Sequence, residues 1–292
     1  MKSMATALMG FLCITAAYGQ AVPETLAPHP NARSLDIEGS ATTKAFTGQS
    51  AAIIYDIQTG ASTPVTLSGD DPTLPEYGEP PMNGVRFDLP DMPPNPSFPR
   101  IEFNDGATFC SSTVIGPRHL LTAGHCVFDG GSFRQNATAY PGYTNGASSP
   151  EYGAFRAVRF IAFSGWTQGH DFAHDVALVE IDRDLPATIT RHVMEAAKPN
   201  CQTPNGFDRY FYVEGDTRLL KNLGLVHIGC KQNTLFFFIG EGRGSSGSSA
   251  LRQGSGGIYA VRSNFLGPVG YDAWITPAKR CFLTGRAGTP SC

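Results

Sequence analysis

Thr122-Ala123-Gly124-His125-Cys126 is the stretch on which the reading turns, with Cys110 upstream of it. A histidine sits between a small-residue turn and a cysteine. Further along, Asp175 opens the strand-like run Asp175-Val176-Ala177-Leu178-Val179-Glu180-Ile181. Ser246 lies inside Gly242-Arg243-Gly244-Ser245-Ser246-Gly247-Ser248-Ser249. Each element alone has a plain explanation: a structural histidine, a solvated strand-end aspartate, a flexible Gly/Ser linker. Together they supply a general base, a group to orient it and a hydroxyl to activate.

Each residue type suits its chemical role. A nucleophilic serine must stand clear of its own backbone and needs amide N–H groups aimed at the developing oxyanion. Gly244 and Gly247 permit so tight a turn, and the N–H groups of Gly244 and Ser246 are the expected donors. His125 is the expected base, since imidazole titrates near neutral pH. Asp175 would accept a hydrogen bond from the Nδ1–H of that imidazole. A competing arrangement uses His170, Asp171, His174 and Asp175 as metal ligands. No glutamate follows His170 as in the zinc-peptidase helix motif, and the downstream run is strand-like. The expectation is therefore no metal and no cofactor.

Bulk properties agree with an exported β protein. Charged residues make up only 16% of the 292, and Gly and Pro are plentiful, which favours a loop-rich β fold. The formal net charge of -3 gives no nucleic-acid footprint. Residues 1–19 read as a secretory signal: Lys2, an apolar run over 5–17, then small residues at Ala17-Tyr18-Gly19. That run is short for a membrane span. Cys13 would leave with it, so Cys110, Cys126, Cys201, Cys230, Cys281 and Cys292 remain. An even set in an oxidising compartment implies disulfides, although six cysteines allow many pairings. Local pairing (110–126, 201–230, 281–292) is the expectation.

Texture divides the rest. More than half of the 22 prolines lie before residue 100, and residues 20–85 show little periodicity, as a propeptide or loose extension would. From Arg100 onward, short apolar runs alternate with Gly, Pro, Asn, Asp or Ser breaks, which indicates an all-β sandwich or barrel. Only 187–198 looks helical. Asn136-Ala137-Thr138 is a glycosylation sequon, meaningful only in a eukaryotic secretory pathway.

The order His, Asp, Ser differs from the subtilisin and α/β-hydrolase orders and matches the chymotrypsin-like one. From Arg100 towards the C-terminus the chain resembles chymotrypsin-fold serine endopeptidases, and more closely the secreted bacterial glutamyl endopeptidases. The segment from Cys110 to Cys126 resembles that family's histidine block with its disulfide. Pro141 to Gly146, Tyr152-Gly153 and Ser164-Gly165-Trp166 resemble the stretch between histidine and aspartate. Asp175 to Leu178 resembles the aspartate block. Gly244 to Ser248 resembles the nucleophile block, with Ser248 where the family usually has glycine.

The resemblance implies two perpendicular six-stranded Greek-key β-barrels, here 86–190 and 191–292, with the site between them. It implies a precursor, with a maturation cut placed roughly at 79–86. It also implies a monomer acting on polypeptide substrates, with no nucleic-acid or membrane partner. In glutamyl endopeptidases a histidine on the strand after the nucleophile helps hold the substrate carboxylate; that position here is Arg262, which could grip a carboxylate bidentately. Arg243 would add positive potential at the rim. Glu241 would compete by pairing internally with Arg262. Ser263 would support Asp175 and bind substrate through its backbone, and Asn264-Phe265 would narrow the pocket. The expected activity is that of a secreted serine endopeptidase preferring Glu or Asp before the scissile bond. The alternatives are another side-chain preference or a catalytically silent binding protein.

Overall fold

The computed structural model describes residues 33–34, 37–38, 51–67, 73–74, 91–103, 108–195, 197–201, 206–238, 243–266 and 269–288. Glu241, Cys292, the 1–19 signal and the 79–86 cleavage region lie outside them.

In chain order the first strands are β1 (Arg33–Ser34), β2 (Ile37–Glu38), β3 (Ala51–Asp56), β4 (Ser62–Thr66) and β5 (Asp91–Met92). They are followed by β6 (Arg100–Phe103), β7 (Thr108–Ser111), β8 (Thr113–Gly116), β9 (His119–Thr122) and the short helix α1 (Gly124–Val127). Next come β10 (Phe128–Asp129), β11 (Ser132–Phe133), β12 (Thr138–Tyr140), β13 (Phe155–Phe163), helix α2 (Ser164–Gly169) and β14 (Ala177–Ile181). The second half holds β15 (Gly206–Phe211), β16 (Leu219–Lys231), β17 (Thr234–Phe238), β18 (Ser249–Arg252), β19 (Ile258–Leu266), β20 (Val269–Trp274) and helix α3 (Pro277–Arg286).

Two closed barrels emerge from these strands. In the first, the hydrogen-bonded order is β7-β6-β12-β13-β14-β9-β8. β7 and β8 are two halves of one strand, broken only at buried Ser112, whose N–H and Oγ both donate to Pro99 O. The ring therefore closes with six strands. In the second, β15-β18-β19-β20-β17-β16 closes through a β15–β16 pairing, again with six. Closure removes exposed sheet edges. This is the chymotrypsin-like double barrel.

Alternation shows how the pattern builds the core. Along β15, Phe207, Arg209 and Phe211 are buried while Gly206, Asp208 and Tyr210 are partly open, the period of two expected of a barrel wall. β14 is buried on nearly every residue because β13 and β9 flank it. Burying each large apolar side chain contributes about 1.5–3 kcal/mol.

Three local outcomes differ from the pattern reading. Within the proline-rich extension, β3 and β4 form a hairpin that adds to the first barrel through five pairings of β3 with β13. Tyr55 stacks on Phe133 at 4.6 Å and accepts a hydrogen bond from Gln135. Residues 187–198 form no helix over their described positions. Their amides serve cross-chain bonds instead, His192 N–H to Val114 O and Glu195 N–H to Ile258 O. The long C-terminal helix is α3, started by Thr276, whose side chain caps Lys279 N–H, and by Pro277 at its first turn. It packs on the first barrel, with Phe282 against Phe163 and Lys279 Nζ donating to Ala173 O at 2.8 Å.

Candidate active site

His125 stands on α1, one turn long, directly after β9. The Cys110–Cys126 disulfide ties this turn to β7 across a separation of 16 residues. His125 N–H donates to Asp175 Oδ1 at 2.7 Å, and the ring Nδ1 bonds Asp175 Oδ2 at 2.8 Å. The Nε2 edge lies 3.8 Å from Cys126 Sγ. Gly124 has to be glycine: a Cβ there would sit 2.9 Å from both Asp175 Oδ1 and the Trp166 ring. Trp166 is itself fixed by donating Nε1–H to Phe128 O.

Asp175 follows a 3₁₀ turn, Phe172–His174, capped by the Asp171 side chain. Its carboxylate is fully buried. Ser263 Oγ–H donates to Oδ2 at 2.5 Å, so three donors from two barrels converge on one carboxylate. Such convergence fixes the plane of the carboxylate and hence the tautomer and orientation of the imidazole it holds.

Ser246 lies between β17 and β18 on a loop bonded to both barrels. Ser246 O accepts from Ser111 N–H, Gly244 O accepts from Ser111 Oγ–H, and Gly247 N–H donates to Arg262 O. Gly244 and Gly247 have φ of 107° and 82°, left-handed values that side chains disfavour. Space forbids a side chain as well. A Cβ on Gly244 would meet the Phe109 ring and Tyr212 O at 2.7 Å, and one on Gly247 would overlap Thr122 Oγ1. The same Gly247 position is 3.1 Å from Ala123 N, so the serine loop abuts the histidine turn. Ser246 and His125 are only 1% and 2% exposed.

The four residues weighed as metal ligands have other contacts here. Asp175 is engaged by His125 and Ser263, Asp171 pairs with His174 at 3.2 Å, and His170 packs edge-on against Trp166. Among the described residues, the His/Cys group that does come together is Cys110, His125 and Cys126, whose two sulfurs are bonded to each other and so offer no thiolate.

Arg262 is fully buried, and its Nη1 lies 3.3 Å from Asp272 Oδ1. The buried Arg209 guanidinium grips the same carboxylate through Nη1 and Nη2. Asp272 is thus the partner the sequence reading missed. It faces Arg262 directly in the β19–β20 register, and Arg209 points inward with Phe207 and Phe211. Arg243 is exposed, with its backbone O accepting from Glu214 N–H. Phe265 packs against the second-barrel core. Cys201–Cys230 is the second described disulfide, and Cys281 is also disulfide-bonded.

A family model described as Trypsin matches residues 93–218, which span the histidine turn and Asp175. The chain carries a trypsin-family domain of the chymotrypsin fold. Among curated proteins, the chain is similar to a glutamyl endopeptidase of Bacillus licheniformis, 38% identical over 82 residues, which are 27% of this chain and 25% of that protein. An extracellular metalloprotease of Bacillus subtilis is 34% identical over 82 residues, covering the same shares. The matched stretch thus spans a quarter of the length of either relative. Among solved structures, a Glu endopeptidase in complex with MPD superposes with TM-score 0.60 at 22% identity over 67% of this chain and 92% of that one. The protease Anisep from Arthrobacter nicotinovorans gives 0.55 at 20% identity, over 63% and 92%. Human heparin binding protein also gives 0.55, at 17% identity over 70% and 97%. The solved structures share the fold, and the 38% match is the likeness that lies towards the glutamyl endopeptidase branch.

Proposed function

We propose that the protein is a secreted serine endopeptidase made as a precursor. The observation that carries this reading is the Asp175 carboxylate, which accepts from His125 N–H, His125 Nδ1–H and Ser263 Oγ–H. A buried carboxylate so engaged is suited to holding an imidazole in place to take a proton. In the mechanism, Ser246 Oγ attacks the peptide carbonyl as His125 removes its proton. The Gly244 and Ser246 N–H groups stabilise the oxyanion. His125 then protonates the leaving amine, and water hydrolyses the acyl-enzyme by the reverse proton path. No helix among the described residues is long and apolar enough to cross a membrane.

The preferred residue before the scissile bond is Glu or Asp. Two guanidiniums share the Asp272 carboxylate, and Arg262 immediately precedes Ser263. The trio would act by holding the strand, since Arg262 is buried. The similarity to glutamyl endopeptidases points the same way. Residues 1–19 are the export signal, and maturation cuts the chain near 79–86.

A fluorophosphonate probe should label Ser246 in the mature protein. Ser246→Ala should abolish labelling and peptide cleavage without unfolding the chain. Asp175→Asn should reduce cleavage on the order of 10⁴-fold. Absence of labelling, with trypsin labelled alongside, would instead support a silent binding protein on this fold, as the heparin binding protein likeness allows. A peptide-library digest read by mass spectrometry tests the acidic preference. Cuts mainly after Lys, Arg or large apolar residues would reject it.

A further inference from the structure

Ser111 joins three segments of the site through its backbone and its hydroxyl. It ends β7, directly after Cys110, and is buried. Its N–H donates to Ser246 O and its Oγ–H to Gly244 O, both at 2.9 Å. Its own carbonyl accepts from Thr122 Oγ1–H at 2.9 Å, at the end of the strand that leads into the histidine turn. The direction of the hydroxyl is fixed. Tyr212 N–H, just beyond β15, donates to Ser111 Oγ at 2.9 Å, so the single hydroxyl proton is left for Gly244 O.

The two carbonyls that Ser111 holds belong to Gly244 and Ser246, the residues expected to donate to the oxyanion. The carbonyls between and before them are taken as well. Arg243 O accepts from Glu214 N–H, and Ser245 O accepts from Ser248 N–H and Ser248 Oγ–H. A glycine has no side chain to limit rotation of the peptides on either side of it. At Gly244 that restraint comes from outside the residue. One part is the Ser111 hydroxyl on its carbonyl. The other is the Phe109 ring, which a Cβ at Gly244 would meet at 2.7 Å. The Arg100 guanidinium lies over that ring, 3.8 Å from its centre, and so pins it in turn.

We propose that Ser111 is a positioning residue for hydrolysis: its hydroxyl holds the Gly244 peptide so that Gly244 N–H points at the developing oxyanion. The proposal rests on the endopeptidase reading. Donors fixed in advance need no reorganisation as charge develops, and that is where such a site gains its rate. The uncharged substrate carbonyl gains little from the same alignment. Loss of the hydroxyl should therefore appear in kcat rather than in KM.

The test is Ser111→Ala, with Ser112→Ala beside it. Ser112 is also buried, and its Oγ–H also donates to a carbonyl, that of Pro99, which is not part of the serine loop. On the best-cleaved peptide of the library digest, Ser111→Ala should lose about 10–100-fold in kcat, less than the roughly 10²–10³-fold for deleting a donor outright. KM should stay within about twofold. An aldehyde of the same peptide, whose hemiacetal oxygen occupies the hole, should bind more weakly by the same factor. Phe109→Leu, which loosens the other side of Gly244, should repeat the loss in kcat, and Ser112→Ala should not. In a Ser246→Ala background, which prevents self-cutting, Ser111→Ala should raise amide exchange at Glu214 and Ser248, the donors to Arg243 O and Ser245 O. A rise in KM with kcat unchanged, an equal loss of kcat in Ser112→Ala, or no loss in Ser111→Ala overturns the positioning role. No fluorophosphonate labelling of the unaltered chain, with exchange at Glu214 and Ser248 raised, overturns the endopeptidase reading and leaves Ser111 as an anchor of the loop alone.

Discussion

Asp272→Asn is the most searching single change. The Asp272 carboxylate is fully buried and lies between two fully buried guanidiniums, 3.3 Å from Arg262 Nη1 and in contact with both terminal nitrogens of Arg209. Asparagine keeps the shape and removes the charge. Two buried cations then lose the carboxylate they share. Removing one partner of a single buried ion pair costs about 3–5 kcal/mol. Here one carboxylate serves two cations, so the upper end, about 4–5 kcal/mol, is expected. That is a large share of a typical domain stability of about 5–15 kcal/mol. Urea denaturation in a Ser246→Ala background would measure it. Arg262→Met combined with Asp272→Asn removes one of the two cations together with the carboxylate, and the double-mutant cycle should show a coupling of at least about 1 kcal/mol. A cost for Asp272→Asn below about 1 kcal/mol, or no coupling, would refute the view that this carboxylate neutralises the barrel interior.

Gly247→Ala places a methyl group on Thr122 Oγ1 and forces a side chain into a backbone with φ of 82°. It should cut labelling of Ser246 by about 100-fold or more, the size of effect expected from misplacing a catalytic group by about 1 Å. Replacing Cys110 and Cys126 together by alanine opens a loop with a separation of 16 residues. It should cost about 3 kcal/mol in a denaturation series, and a loss near zero would show that the turn is held by its other contacts. His192 is kept below its ordinary pKa of 6.5 mainly by burial, with the Gly256 carbonyl opposing. His119 is lowered for the same first reason. The unfolded chain takes up these protons below about pH 6.5 while the folded chain resists, so stability should fall as pH drops from about 7 to 5. His192→Gln should flatten that slope, and an unchanged slope in urea midpoints against pH would exclude its contribution.

The parts of the site legible in the sequence are those written in contiguous residues. His125 beside Cys126, Asp175 at a strand start, and Ser246 between glycines are each local statements. The glycines carry their reasons within reach: Gly124 clears Trp166 and Gly247 clears Thr122. Even so, the 187–198 segment shows the limit of local pattern. Its apolar residues suggested a helix, whereas its amides are consumed by Val114 and Ile258 from distant strands. Helix α3 went unread because its apolar face, including Ala278 and Leu283, has meaning only against the first barrel.

By itself, the sequence supplied the candidate set His125, Asp175 and Ser246 and an all-β class, because these motifs and short alternating strands are encoded by neighbours. Tertiary structure alone decided what surrounds that kit. Arg262 was expected to turn towards substrate or towards Glu241. The β19–β20 register sets it opposite Asp272, and the inward period of β15 brings Arg209 to the same carboxylate. Likewise the extension, read as loose, contributes a hairpin to one barrel and a strand to the open edge of the other. Register and edge pairing depend on closing loops tens to hundreds of residues long. No spacing along the chain records which strand will arrive there.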